Sequence, residues 1–366
     1  MGILKVTLSS FRNHTQKELK FGKGLTVIWG DNGSGKTSLL EAVHILSYGK
    51  SFKTHRHGEL IKNGFESYII RGVFKKNGLT DMIDTEFGQG RPQRTKINGK
   101  LISSRKEQVG RNPVVILSPE EQEITKGGPA QRRSFFDRVF SVVSKEYLKT
   151  IQSFMKLLKQ RNASLVRIRE GSTSIGEIYG WDEQMLEVAS SLLLQRASML
   201  EEFKESLFSI QGKYNDDIQI GLSYKPNIKD IGDYKSVISN TQKIDVSLGR
   251  TTRGPHRDEI DTLWRGVKTK SVGSQGEHKL SLVFLKLAEM IFVKEKTGGF
   301  PILLLDDLFA KLDLGRSRNL VGLINKLEKD MGESIQTIVT TTDLVDIEQS
   351  GILSENPNVI NHQLVR

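Results

Sequence analysis

With 366 residues the chain is too long for one ordinary core, and two or three lobes are expected. A hydrophobic fraction of 37% and a charged fraction of 27% fit a globular protein; no apolar run approaches the ~20 residues of a membrane span, and the absence of Cys excludes disulfides and thiolate metal sites. A formal net charge of +11 favours a polyanionic partner, above all nucleic acid.

The opening MGILKVTLSS carries no basic-then-apolar signal pattern, so a cytoplasmic location is expected. ILKVTLSSF alternates as a strand does, and ELKFGKGLTVIWG reads as strand, turn, strand. TSLLEAVHILSYG follows as an amphipathic helix. From Tyr68 to about Ile102, short alternating pieces with turns at Asn77-Gly78 and Asn98-Gly99 predict a β-rich, antiparallel subdomain. NPVVILSPEE is a buried strand ending in a turn.

After Lys126-Gly127-Gly128-Pro129 the pattern becomes helical as far as about Tyr214. Leu148, Ile151, Met155, Leu158 and Leu165 form the apolar stripe of a first long helix. At ~1.5 Å per residue its ~25 residues would reach about 37 Å. Glu170 to Gly180 is a loop, and a second long helix starts at Trp181, so the two form an antiparallel pair. Residues near 218 to 270 read as strands. A helix from Lys279 to Lys294, the apolar strand PILLLDD, a helix from Gly315 to Lys329 and a last strand SIQTIVTT complete the chain. This alternation predicts a parallel sheet.

The strongest chemical signal is Gly30-Asp31-Asn32-Gly33-Ser34-Gly35-Lys36-Thr37, a G-x-x-x-x-G-K-[ST] loop after a strand and before a helix. Its glycines let backbone N–H groups wrap phosphates, Lys36 adds positive charge near the β and γ phosphates, and Thr37 offers a hydroxyl to Mg²⁺. Such a loop needs an acid on a neighbouring strand. Asp306, after four buried-type residues, is placed to hold Mg²⁺ directly or through water, and Asp307 to polarise the attacking water. Thr340, Thr341, Thr342 and Asp343 end the last strand as candidate γ-phosphate sensors. Asn325-Lys326-Leu327-Glu328 only approximates the Asn-Lys-x-Asp guanine reader and lies in a helical pattern, so the nucleotide is ATP rather than GTP. The scattered His residues form no transition-metal set.

Far downstream, Ser274-Gln275-Gly276-Glu277 opens an apolar helix. Ser274 as N-cap with Glu277 three residues on reads as a capping box, and a helix N-terminus is also an anion site. The phosphate loop, this Ser-x-Gly-Glu start and Leu-Leu-Leu-Asp-Asp followed by Leu312-Asp313 resemble the SMC-like, ABC-type ATPases of DNA maintenance. Within these the chain resembles the RecF family over essentially its whole length. The resemblance is carried by Phe11-Arg12-Asn13 with GDNGSGKTSLLEAV, Ser118-Pro119-Glu120, Lys126-Gly127-Gly128-Pro129 and Arg132-Arg133…Phe136-Asp137. Leu158-Lys159-Gln160-Arg161-Asn162-Ala163 and Gly254-Pro255-His256-Arg257-Asp258 extend it.

The resemblance implies an α/β fold: an ABC-type P-loop ATPase head, with a mixed sheet and a β-rich subdomain, plus an inserted helical arm. The boundaries expected are 1–125 and 218–366 for the two parts of the ATPase and 126–217 for the arm. It also implies Arg12 and Asn13 at the nucleotide, Asp313 in the loop after the acidic strand, and Ser274, Gly276 and Glu277 as a signature motif. That motif would read the γ-phosphate held by a second copy of the chain. The implied function is an ATP-dependent homodimer on DNA, a recombination mediator acting with RecR and RecO to load the RecA recombinase. Its sites would be gaps and single-strand/double-strand junctions, in repair, replication restart and the SOS response. Two features depart from related heads without breaking the assignment: Gln-Gly-Glu-His follows Ser274, and Thr stands where transporter ATPases carry a switch His, so the resemblance leaves the exact γ-phosphate sensor open. Asp307 is shorter than the usual Glu of ABC enzymes, which leads to the expectation of slow, DNA-stimulated hydrolysis. A non-hydrolysing ATP-dependent scaffold is the alternative. An SMC-like tether ranks lower because the arm is short, as does a transporter subunit because no membrane-coupling feature is evident. Basic clusters at Lys50 to Arg56, Arg91 to Arg105, and Lys156, Lys159, Arg161, Arg167 and Arg169 are candidate DNA contacts.

Overall fold

A computed structural model describes residues 2–214, 218–308, 314–353 and 359–364. The chain divides into two compact units, one of residues 1–122, 212–216 and 286–366, the other of residues 123–211 and 217–285. In sequence order the first unit begins with β1 (Gly2–Phe11), β2 (His14–Lys20), β3 (Leu25–Gly30), α1 (Lys36–Tyr48), β4 (Ser67–Lys76), β5 (Leu79–Gly88), β6 (Arg94–Ile97), β7 (Lys100–Leu101) and β8 (Val114–Leu117). The second unit follows with α2 (Glu123–Lys126), α3 (Pro129–Val143), α4 (Lys145–Arg169), α5 (Tyr179–Gln211), β9 (Ile220–Lys225), α6 (Tyr234–Leu248), β10 (Glu259–Trp264), β11 (Val267–Lys268) and α7 (Thr269–Val272). Helix α8 (Gln275–Thr297) carries the chain back to the first unit, which ends with β12 (Ile302–Asp306), α9 (Leu314–Met331), β13 (Thr337–Thr341), α10 (Leu344–Ser350) and β14 (Ile360–Leu364).

The first unit holds two sheets of different kinds. One is antiparallel, in the order β2-β1-β4-β5-β6-β7, and the other is parallel throughout, in the order β14-β3-β13-β12-β8. Burial separates them as the residue patterns anticipate. Strand β4 alternates between buried and exposed residues, whereas every residue of β8, β12 and β13 is buried. The two Asn-Gly turns close hairpins with left-handed φ at both residues, 50° and 81° at Asn77-Gly78 and 51° and 81° at Asn98-Gly99.

Helix α1 corrects the expectation of an amphipathic helix. It touches β1, β4 and β5 of the antiparallel sheet and β3, β12 and β13 of the parallel one, so it lies between the two layers. Eleven of its 13 residues are therefore buried, including Glu41 and His44. A second correction is β14, which extends the parallel sheet beyond the strand read as the last one. Its sequence Ile-Asn-His-Gln-Leu lacks an apolar run, and pairing with β3 supplies what composition does not.

In the second unit α4 and α5 run antiparallel, as their contacts show. Arg161 Nε meets Asp182 Oδ1 at 2.5 Å near the connection, and Gln195 Nε2 meets Thr150 Oγ1 at 3.3 Å towards the far end. The buried face of α4 is rotated from the predicted stripe. Tyr147, Phe154, Leu157, Leu158, Arg161 and Leu165 are buried, whereas Met155 is 50% exposed. Residues 218–270 are not strands alone, because α6 lies between β9 and β10. Its β-branched residues imitate a strand, and its inner face is only Tyr234, Ile238 and Asp245, so few apolar residues reveal the helical spacing. Strands β9, β10 and β11 form the unit's own antiparallel sheet. Helix α8 starts four residues before the predicted Lys279.

Candidate functional site

The loop between β3 and α1 is built around glycines that cannot be replaced without collision. Gly30 has φ 147°, and a Cβ there would sit 2.2 Å from the carbonyl oxygen of Leu364; Gly35 has φ 96°, and its Cβ would sit 2.3 Å from His14 Nε2. The backbone amides following these glycines open onto the N-terminus of α1, where dipole and unpaired N–H groups favour phosphate. Lys36 curls over the loop, donating to the carbonyls of Gly30 at 2.7 Å and Asp31 at 2.9 Å. Burial lowers its pKa, and the nearby carboxylates of Asp307, Asp306 and Asp31 oppose that shift.

Parallel register sets Asp306 opposite Thr340 on the neighbouring strand. Asp306 Oδ1 accepts hydrogen bonds from Thr340 Oγ1 at 2.7 Å and Thr37 Oγ1 at 2.9 Å. The carboxyl is only 4% exposed, so burial raises its pKa while the two hydroxyls oppose the rise. The Thr37 hydroxyl and Asp306 carboxylate thus converge as two hard oxygen donors beside the phosphate loop, the ligand chemistry Mg²⁺ takes. Asp307 turns away from the strand in the left-handed region, φ 51°, with its N–H donating to Thr340 O at 3.2 Å and Thr340 Oγ1 at 3.0 Å. Such a conformation is uncommon outside glycine and clusters at functional sites.

Gly35, Lys36, Thr37, Asp306, Asp307 and Thr340 border one cavity of about 670 Å³. Arg12 and Asn13 border it too. Arg12, at φ 55°, forks onto the buried Glu41 carboxylate with both bonds at 2.7 Å, and Asn13 Nδ2 donates to Gly33 O at 2.9 Å. Ser51 Oγ also donates to Glu41. The structure adds residues that no motif announces. Lys53, in the stretch grouped as a DNA cluster, lines the cavity, and so does Lys62, which donates to Asn13 O at 2.9 Å. Both stand on an irregular segment whose spacing encodes nothing about where it folds.

Ser274, Gly276 and Glu277 belong to the other unit and do not line this cavity. They form the capping box: the Ser274 N–H donates to Glu277 Oε2 at 2.6 Å, and the Glu277 N–H to Ser274 Oγ at 3.3 Å. These bonds hold the Glu277 carboxyl below its ordinary pKa. Ser274 and Gln275 are exposed. Asp313 lies outside the described residues. Among the arm candidates, Arg161 is withdrawn from any DNA contact: its side chain is 0% exposed and paired with Asp182 and Asp245, while Arg167 is paired with Glu177.

A phosphate loop between a buried parallel strand and a buried helix, an acidic strand end that lies one strand removed, across β13, rather than on the expected neighbour of β3, and a separate Ser-x-Gly-Glu helix start define an ABC-type P-loop ATPase head. The model of the RecF/RecN/SMC N terminal domain matches residues 2–355. A relative from Lachnoclostridium phytofermentans, "DNA replication and repair protein RecF", is 32% identical over 353 residues, covering 96% of each chain. A protein of the same name from Leptospira interrogans is 33% identical over 358 residues, covering 95% of this chain and 93% of the relative. Among solved structures, the recombination mediator protein RecF-ATP in the RecFOR pathway superposes with a TM-score of 0.85 at 28% identity, covering 93% of this chain and 92% of that one. An Smc head bound to the C-winged helix domain of ScpA shares the fold, with a TM-score of 0.54 at 17% identity over 98% of this chain and 93% of that one. The chain belongs to the RecF family of SMC-like, ABC-type ATPases.

Proposed function

We propose that this protein is an ATP-gated recombination mediator that dimerises on DNA and helps RecR and RecO load RecA at gaps and single-strand/double-strand junctions. It would act in the cytoplasm, in repair, replication restart and the SOS response. The observation that carries the reading is that the phosphate loop and its acids line one cavity of the first unit while the Ser274 helix start, in the second unit, is exposed. The cavity holds the loop, Lys36, Thr37 and the two acids, while the exposed Ser274 helix start offers its anion-binding end to a partner. The named relatives support the DNA and mediator parts. No described helix is long and apolar enough to cross a membrane.

In this reading the amides of Gly33 to Thr37 cradle the phosphates, and Lys36 moves from the loop carbonyls to the β and γ oxygens. Thr37 and Asp306 would hold Mg²⁺, which neutralises charge developing on the phosphates. Thr340 keeps the Asp306 carboxylate oriented, and Asp307 accepts a proton from the attacking water. Ser274 and the free amides of its helix in one copy would close on the γ-phosphate bound by the other. The short Asp307 in place of Glu supports slow hydrolysis, a timer stimulated by DNA; a scaffold that only binds ATP would show no phosphate release with or without DNA.

The mass of the protein in solution tests the dimer directly. It is expected to double with ATP, and both Lys36→Met and Ser274→Arg are expected to remain single. Doubling that survives Ser274→Arg would remove the signature from the interface. DNA affinity is expected to be insensitive to sequence and steeply dependent on salt, because phosphate contacts dominate. With ~6–10 phosphates neutralised it falls ~10³–10⁵-fold between about 50 and 200 mM salt. A flat response in a titration followed by anisotropy would argue against backbone binding.

A further inference from the structure

We infer that the outer face of α4 is a docking rail for the phosphate backbone of double-stranded DNA. Lys145, Lys149, Lys156 and Lys159 are all exposed on this one helix. At ~100° per residue, positions 145, 149, 156 and 159 fall within about 40° of a common line, and so do Gln152 and Ala163, both exposed. The four ammonium groups therefore form a straight stripe about 21 Å long at ~1.5 Å per residue. Among the described residues none of the four has a carboxylate partner, in contrast to Arg167, which lies on the same line but is tied to Glu177. The nearest acid along the helix, Glu146, points about 100° away from the stripe, and its carboxylate accepts from Gln195 Nε2 at 3.4 Å.

The chemistry selects the partner. Four lysines with no internal counter-ion on a rigid 25-residue helix call for an equally stiff, regularly spaced polyanion. Duplex DNA supplies one phosphate charge per ~1.7 Å of axis. A single strand is held largely by base stacking on aromatic side chains, and the stripe contains none; Phe154 and Tyr147 of the same helix face inward. The inference rests on the DNA-binding reading above and deepens it by assigning the double-stranded arm of a junction to α4. Lys145 and Lys149 lie outside the basic clusters visible in the sequence, whereas Arg161 drops out of them.

The test replaces Lys145, Lys149, Lys156 and Lys159 together by Gln, with a second variant carrying Arg at all four. Binding of a short blunt duplex is measured against salt in the presence of ATP. The Gln variant is expected to show a log–log salt slope shallower by about 0.9 per lost contact, about 3.6 in all. The Arg variant is expected to keep the wild-type slope, and ATP binding to be unchanged in both. If the wild-type protein binds duplex and the Gln variant keeps its slope, the rail is overturned and the mediator reading stands. If the wild-type protein binds no DNA, both fall. Duplex binding intact alongside lost capture by vesicles of acidic lipid would assign the stripe to a membrane surface and likewise overturn the inference.

Discussion

Asp307→Asn is expected to slow phosphate release by at least ~10²-fold and to accumulate the ATP-bound dimer, because a general base contributes ~10²–10⁴-fold to such a step. Geometry separates the two adjacent acids. Asp306 is buried and paired with two hydroxyls, whereas Asp307 leaves the strand at φ 51° and borders the cavity. The amide replacement keeps the size and the backbone conformation, since Asn tolerates left-handed φ as well as Asp does. It removes the negative charge, and with it the ability to take a proton. Single-turnover phosphate release, read beside the mass of the ATP-bound protein, checks the prediction. Hydrolysis at the wild-type rate would show that Asp307 is not the base.

The second large effect concerns stability. Arg196 is 1% exposed in the second unit and donates to Asp258 Oδ2 at 2.6 Å, to Asp137 Oδ1 at 3.0 Å and to Pro255 O at 2.9 Å. Asp258 also accepts from Tyr224 at 2.7 Å and from the Asn227 N–H at 2.8 Å. Burial raises the pKa of Asp258 against the pull of Arg196. Arg196→Met would leave two carboxylates without their cation, at a cost of ~3–5 kcal/mol. For a unit of this size that is a fall in Tm of roughly 6–20 °C. Adding Asp258→Asn is expected to recover part of the loss, because one stranded charge is then gone. Thermal unfolding followed by circular dichroism distinguishes the outcomes, and a Tm within about 2 °C of wild type for Arg196→Met would contradict this account.

This network also explains what several family motifs do. Arg132 of Arg132-Arg133 binds the Ile260 carbonyl at 2.5 Å and Asp261 at 3.0 Å, and Arg133 binds the Asp258 carbonyl at 2.6 Å. Asp137 and Asp258 share Arg196, while Arg161 and Asn162 of the arm motif hold Thr251 through side-chain bonds of 2.8 and 2.7 Å. Arg132, Asp137, Arg161 and Asp258, which belong to the motifs that carry the resemblance, are in this unit members of internal hydrogen-bonded ion pairs. Arg161 reads as a DNA contact in the sequence because buried salt bridges and ligand sites draw on the same charged side chains.

What the sequence determined by itself is whatever short-range chemistry encodes. The Gly30 to Thr37 loop, the Asn-Gly hairpins, the buried strand ending in Asp306 and the Ser274 capping box each depend on a few contiguous residues, and each stands in the structure at the position its pattern specified. Tertiary structure alone decided the rest. Burial of α1 on all sides, β14 on the sheet edge, the inward turn of Arg161 and the approach of Lys53 and Lys62 to the cavity beside the phosphate loop depend on partners far away in the chain. A lysine or arginine reads the same in sequence whether it meets solvent, phosphate or a buried aspartate. Only packing, by setting which charges lose their water and which keep it, tells these cases apart.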